Sequence, residues 1–396
     1  MKKFLTIAIF LSFRMSEKSA KIEERIRELE ERLSKTIPNK HTMKSINFIK
    51  AQLAKLREDL IRIASSKKGG SSGFGIKKSG DATCAFIGFP SVGKSSLLNL
   101  LTEGDTHSKV AAYDFTTISA IPGMMSIEDA SIQLIDLPGI ILGAATGKGR
   151  GKEVLGAART SELVLIIICF RYDGIINFDD LTTIRNELSN AGIRLNSNPP
   201  KISIKKRTMG GIHFSSKGHQ NMDKEEIRAL MNELGIRNAG VYFAEPDITA
   251  DQLIDFIIGN RVYSKEFVVI NKSDLMKKPV SADEITEIIG HNHWLMISVK
   301  NQENIKALKH QIFLELDLIR VYLKPPKKEA DLNEPIILHR GDNIETLCRK
   351  IHSSFITDYR YSLVWGSSAK HPGQKFDSLD HILEDGDIIS IYLKRG

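Results

Sequence analysis

Cysteine is nearly absent from this 396-residue chain. Cys84, Cys169 and Cys348 are its only three, far apart and odd in number. That excludes a disulfide framework and any C-x-x-C metal or redox site, and it points to a reducing compartment, read here as the cytoplasm. Tryptophan occurs twice, aromatics make up 7% of the residues, and no apolar run reaches the roughly 20 residues that a membrane span needs. Near the N-terminus, Phe4–Phe13 follows Lys2 and Lys3 in the manner of a signal peptide, but no small-x-small cleavage site comes after it. Met15 directly precedes a polar helical pattern, so residues 1–14 read as an upstream extension of the reading frame. Acidic residues are scarce at one end only. Residues 1–80 hold 19 basic against 8 acidic side chains, whereas 81–396 hold 37 against 40. The net charge of +8 therefore marks a polyanion-facing module on a near-neutral body. At 41% hydrophobic and 26% charged, the chain has the make-up of an ordinary globular protein of two to four domains.

Helical spacing of Ile22, Ile26, Leu29 and Leu33, a break at Pro38-Asn39, and a second stripe through Ile46, Ile49, Leu53, Leu56 and Leu60 predict a helical hairpin over 15–64. The face of its second helix that carries Lys44, Lys50, Lys55, Arg57 and Arg62 is either a solvated face or an RNA contact. Residues 65–80 read as a Gly/Ser/Lys linker. Strands and helices then alternate to about residue 320, which predicts a doubly wound α/β domain. After Pro325-Pro326 the pattern becomes strand, Gly341-Asp342 turn, helix, strand and strand, as in a β-grasp module, with Asp342 expected as N-cap of the helix and Glu345 at its third position.

The chemistry begins at Gly88-Phe89-Pro90-Ser91-Val92-Gly93-Lys94-Ser95, a complete G-x4-G-K-[ST] loop between an apolar strand and an apolar helix. Its backbone N–H groups would cradle phosphates at a helix N-terminus, Lys94 would reach the β- and γ-phosphates, and Ser95 would ligate Mg²⁺, with Ser96 beside it. Asp136-Leu137-Pro138-Gly139 ends another strand, placing Asp136 on Mg²⁺ and the Gly139 amide on the γ-phosphate. Thr117 is expected at the metal and γ-phosphate, with Thr116 as the other choice. The base reader is Asn271-Lys272-Ser273-Asp274. A carboxylate at Asp274 accepts from guanine N1–H and the N2 amine, neither of which adenine offers, so ATP would leave it buried and unpaired. A backbone N–H from Ser298 or Val299 is expected at guanine O6. Ile140 follows Gly139, so a water-orienting glutamine is missing and hydrolysis should be slow. The Gly143–Lys152 stretch is glycine-rich and basic, and its Arg150 reads as a loop charge before a transition-state arginine. His291-x-His293 lacks a third ligand nearby and reads as a turn.

The chain resembles the developmentally regulated GTP-binding protein family, the Obg-related GTPases of the translation-factor class. The resemblance rests on the phosphate loop, Asp136-Leu-Pro-Gly-Ile-Ile, Gly147-Lys-Gly-Arg-Gly, Gly192-Ile-Arg-Leu-Asn-Ser, Gly259-Asn-Arg-Val-Tyr and Leu363-Val-Trp-Gly. It implies a Ras-like P-loop GTPase domain in two parts, 81–191 and 247–324. Between them, at 192–246, it implies an inserted α+β domain like domain 2 of ribosomal protein S5, and at 325–396 a TGS domain. Asp136 and Asn271 stand 135 residues apart, more than a minimal domain of this kind uses, which fits an insert. The insert's Lys201, Lys205, Lys206 and Arg207 are either an RNA contact or a protected strand edge. The resemblance further implies GTP and GDP as ligands, Mg²⁺ as cofactor, work at the ribosome or on RNA, and a small regulatory protein as partner. Relatives that use K⁺ commonly carry an asparagine where this chain has Ser91, so a K⁺ role is conditional. Ser96 stands where threonine is usual, and Ile168-Cys169-Phe170 lacks the usual aspartate.

Overall fold

The computed structural model describes residues 2–39, 41–66, 79–102, 121–137, 158–326 and 328–394. Helices Lys2–Lys35 (α1) and Met43–Ser66 (α2) come first, then strand Ala82–Ile87 (β1) and helix Lys94–Thr102 (α3). Strands Ile121–Ile127 (β2), Ala130–Asp136 (β3) and Leu163–Cys169 (β4) lead to helix Phe178–Asn190 (α4). Strands Ile193–Leu195 (β5), Ile202–Lys206 (β6) and Ile212–Ser216 (β7), helix Lys224–Glu233 (α5), strand Ala239–Phe243 (β8) and helix Ala250–Ile258 (α6) follow. Strand Val262–Asn271 (β9), helix Ala282–Ile289 (α7), strand Trp294–Met296 (β10) and helix Ile305–Glu315 (α8) come next. The chain then runs through strands Leu318–Leu323 (β11) and Ile336–His339 (β12), helix Ile344–Ile351 (α9), and strands Tyr359–Trp365 (β13), Gln374–Phe376 (β14) and Ile388–Leu393 (β15). These elements fall into two compact units, one holding 2–66 with 187–263 and the other 79–137, 158–186 and 264–394.

In the first unit, Asn39 makes the hairpin break by accepting the amides of His41 and Thr42, both at 2.9 Å. Ile26, Leu29, Ile49, Leu53 and Leu60 zip the two helices together as their spacing predicts. The opposite face of α2 departs from expectation. Ala51 and Ala54 are buried in a second core with Ile202, Ile227, Leu230, Val241, Phe243 and Leu253, so the insert's three-stranded sheet and its helices pack on that side. Of the cations read as a free basic face, three are engaged there and a fourth pairs with α1. Lys44 pairs with Asp223, Lys50 with Asp251 at 2.7 Å, Lys55 donates to the carbonyl of Glu233 at 2.8 Å, and Arg57 holds Glu30 at 2.8 Å. The side chain of Arg62 lies outside those described. Helix α6 also extends the insert's core past residue 246. Its signature was present in the sequence as Thr249-x-x-Gln252, a capping box closed by Gly259 at φ 67°.

The second unit is built on six strands in the order β10-β9-β4-β1-β3-β2, parallel except for the antiparallel β2–β3 pair. Both faces of its inner strands are covered, so β1 and β4 are buried almost throughout and read as continuous apolar runs. A five-stranded sheet of order β12-β11-β15-β13-β14 follows, with α9 on one face. Strand β11 belongs to this sheet, which therefore starts seven residues before Pro325. On the face away from α9, Tyr361 and Tyr392 stack at 4.5 Å. The N-cap of α9 is Asn343, whose side chain takes the Thr346 amide at 3.0 Å, and not Asp342, which instead accepts from the His339 amide at 2.9 Å. Asp342 thus stands one residue outside the cap and serves the turn before the helix.

Glu266 on β9 is 2% exposed and is held by the Arg185 guanidinium and by His291 Nε2 at 2.6 Å. Burial alone would raise its carboxyl pKa, but hydrogen bonds from His291 and Arg185 outweigh it and hold the group below its ordinary value. A lowered carboxyl stabilises the fold above its unfolded pKa, and that contribution is lost as pH falls through the folded value. Glu266→Gln is expected to cost about 1–3 kcal/mol near neutrality, because it leaves the half-buried Arg185, 29% exposed, without its anion. Denaturant melts should show the gap to wild type closing in the acid range below the unfolded carboxyl pKa.

Candidate functional site

The phosphate loop leaves β1 and enters α3, whose Leu97, Leu98 and Leu101 anchor it in the sheet's core. Two glycines are demanded by space. A Cβ on Gly88 would lie 2.5 Å from the Ile167 carbonyl, and Gly93 has φ +99° with its Cβ position 2.4 Å from Asn271 Nδ2. Ser91 is left-handed at φ 65°, and it and Pro90 are exposed at the crest, while Val92 is buried beneath. Lys94 is 8% exposed, and its Nζ donates to the carbonyls of Gly88 at 2.9 Å and Phe89 at 3.0 Å. Burial draws its ammonium pKa below the ordinary value, with Asp136 opposing. The cation is thus kept inside the loop curve, solvated only by carbonyls that a phosphate can outbid.

Asp136 ends β3 in register with Phe86 of β1, so the sheet itself aims it at the loop. The Ser95 hydroxyl donates to Asp136 Oδ2 at 2.5 Å. Oδ1 is the one buried side-chain polar atom without a hydrogen-bond partner among the described residues. A serine hydroxyl beside a carboxylate with an unspent buried oxygen is the hard oxygen donor set that suits Mg²⁺. No group of three or more His, Cys, Asp or Glu side chains that could hold a metal ion by itself occurs among the described residues. Leu137 is buried and its amide bonds to the Phe86 carbonyl at 3.3 Å. Thr116, Thr117, Pro138, Gly139, Ile140 and the Gly143–Lys152 stretch with Arg150 lie outside the described residues.

The base-reading loop follows β9. Asn271 is 1% exposed and braces three segments at once. Its Nδ2 donates to the Val92 carbonyl at 2.8 Å, and its Oδ1 accepts from the amides of Lys272 at 2.7 Å and Val299 at 3.1 Å. Lys272 turns through φ 62° into a short 3-10 helix, Ser273–Leu275, which carries Asp274. Asp274 Oδ1 accepts from the Ser298 hydroxyl at 2.7 Å, leaving Oδ2 with only Lys300 at 3.9 Å. The two amides expected at guanine O6 both have acceptors within the protein. The Ser298 amide donates to the Glu303 carbonyl at 3.3 Å, and the Val299 amide is the one Asn271 holds. Sequence reasoning missed Glu303, which exchanges backbone bonds with Ser298 and takes the Ser273 hydroxyl at 3.4 Å. No motif marks it. His291 and His293 each face a different carboxylate, Glu266 and Glu315, with no shared ligand position between them.

The chain compares with known proteins along most of its length. Residues 83–206 match a family model described as 50S ribosome-binding GTPase, 209–318 the C-terminal region of the same MMR_HSR1 domain, and 319–393 the TGS domain. The chain is 42% identical to the developmentally-regulated GTP-binding protein 1 homolog of Dictyostelium discoideum, over 94% of this chain and 99% of that one. It belongs to the developmentally regulated GTP-binding protein family. An uncharacterized GTP-binding protein of Methanocaldococcus jannaschii is 47% identical to this family member over 94% of its length and 93% of the relative's. Among solved structures, the Schizosaccharomyces pombe YchF GTPase matches at a TM-score of 0.44 and 12% identity, over 80% of this chain and 99% of that one. The sheet around β1 is accordingly the GTPase domain of a developmentally regulated GTP-binding protein, and the five-stranded sheet is its TGS domain.

Proposed function

We propose that this GTP-binding protein hydrolyses GTP slowly with Mg²⁺ and acts as a switch in translation, at the ribosome, in the cytoplasm. The observation that carries the reading is the hydrogen bond from Asn271 to Val92, which ties the base loop to the phosphate loop. Base identity and phosphate state are then read by one rigid construction. Ser95, Asp136 and Thr117 would hold Mg²⁺, which supplies positive charge to the β- and γ-phosphates. Lys94 and the loop amides from Gly88 to Ser96 stabilise the charge that develops on the transferring phosphoryl group. The Gly139 amide senses the γ-phosphate, and Asn271, Lys272, Ser273 and Asp274 select guanine. With Ile140 in the glutamine position, no side chain there orients the attacking water, which makes the step slow.

The same isoleucine favours a second reading, an adaptor that senses GTP and barely hydrolyses it. Phosphate release measured with GTP and Mg²⁺, in K⁺ and in Na⁺, separates the two. Release above background that falls at least tenfold in Ser95→Ala is expected. Nucleotide binding with no release in either salt, even with ribosomes added, leaves only the adaptor. A K⁺-selective rate would place K⁺ at the loop despite Ser91. A ribosomal setting is supported by the matching family model, described as a 50S ribosome-binding GTPase, with the TGS domain as a ribosome or partner contact and a small regulatory protein as a further partner. Co-sedimentation with a free subunit rather than polysomes would favour a role in ribosome assembly.

A further inference from the structure

Where Lys44, Lys50 and Lys55 of α2 are engaged, the insert carries positive charge of its own that stays open. Its sheet has the order β6-β8-β7, and its strands alternate cleanly. Ile202, Ile212, Ala239, Val241 and Phe243 point into the core, with Phe214 edge-on to Phe243 at 4.9 Å. The other face is bare of any covering element among the described residues. It presents Ser203, Lys205 and Arg207 from β6 and its end, and Gly240, Tyr242 and Ala244 from β8. From β7 and its end it presents His213, Ser215 and Lys217. None of these nine positions is acidic. Lys205, Arg207 and Lys217 are exposed and form no ion pair among the described residues, unlike their counterparts on α2. Tyr242 is 42% exposed, flanked in register by Ser203 and Ser215, whose small side chains leave the ring uncovered. One row along, Gly240 lies between Lys205 and His213, and the Arg207 guanidinium comes to 3.5 Å from where a Gly240 side chain would begin. The surface is therefore flat, aromatic at its middle and cationic on three sides.

We propose that this open face of the insert binds single-stranded RNA, with a base stacked on Tyr242 and the flanking phosphates on Lys205, Arg207 and Lys217. A bare ring amid small hydroxyls suits an unpaired base, whose own face is free to stack. A duplex hides those faces. An acidic peptide would meet the cations but gain nothing from the ring, and a lipid surface would want an apolar ridge that this face lacks. The surface gives the ribosomal reading a place of contact and rests on that reading only for its setting.

The test uses the full chain and a fluorescein-labelled 12-nucleotide oligouridine, followed by anisotropy at several salt concentrations. Wild type should bind with log K falling against log salt at a slope of about −2, as three phosphate contacts give. Tyr242→Ala should weaken binding about tenfold with the slope unchanged. Lys205→Gln should flatten the slope by about 0.7. Tyr361→Ala, on the TGS sheet's half-buried stacked aromatic pair, should leave affinity alone. The proposal is overturned if Tyr242→Ala binds as wild type does, if Tyr361→Ala carries the loss instead, or if a 12-base-pair duplex or a polyglutamate peptide binds as tightly as the oligouridine. Guanine-nucleotide binding on the same preparations reports on the GTPase reading separately, since no substituted residue touches that site.

Discussion

An Asp274→Asn variant will exchange its preferred nucleotide from GTP to xanthosine triphosphate. The wild-type carboxylate has one oxygen committed to the Ser298 hydroxyl and the other lightly met by Lys300, so acceptor capacity is aimed outward for two base donors. An amide at the same place keeps one acceptor and adds a donor. It clashes with guanine's N2 amine and suits the carbonyl oxygen that xanthine carries there. Sites built around such a buried pair reject the mismatched base by factors on the order of 10⁴, and the GTP affinity of the variant should fall by about that much. Competition of GTP and xanthosine triphosphate against a fluorescent guanosine diphosphate measures it. Undiminished preference for GTP would mean that Asp274 does not read the base.

Gly93→Ala should also damage nucleotide binding, for a different reason. The residue sits at φ +99°, which costs a non-glycine roughly 1–3 kcal/mol, and its new methyl would begin 2.4 Å from Asn271 Nδ2. Asn271 cannot yield without breaking its bonds to Val92 and Val299, which hold the phosphate loop and the segment after β10. Nucleotide affinity is expected to fall about 100-fold or more, since each buried bond left unmade costs about 1–3 kcal/mol. Isothermal titration with guanosine diphosphate would show it, and binding within threefold of wild type would refute the bridge. A thermal melt without nucleotide should change too, because Asn271 is wholly buried.

Much of this was legible from residues alone, and the reason is local. Phosphate loop, Asp136 and the Asn271–Asp274 run sit at strand ends, where a period-two or continuous apolar pattern stops and chemistry begins. The helical stripes of Ile26, Leu29, Ile49 and Leu53 state their partners almost as directly. What failed was long-range. Nothing around Lys44 or Lys50 says that carboxylates 179 and 201 positions later will meet them, so a busy interface read as a bare one. Ala51 and Ala54 were too small to look like core. The base loop's bracing by Glu303 and the competition for the Val299 amide are likewise settled by three-dimensional closure, since a backbone N–H carries no trace of its acceptor in the sequence. The N-cap of α9 slipped from Asp342 to Asn343 because both residue types cap well and the turn claimed the first.

The docking of α2 on the insert also sets a timetable. During synthesis the hairpin leaves the ribosome long before Asp223, Glu233 and Asp251 exist, and those residues trail their α2 partners by 178 to 201 positions. At about 5–20 residues per second, the wait is on the order of 10–40 s. For that interval the nascent chain displays an alanine-faced, lysine-rich helix with no acceptor of its own. Its N-terminal region closes only after the first half of the GTPase domain has been made, and a chain interrupted before residue 223 has none of the three acceptors.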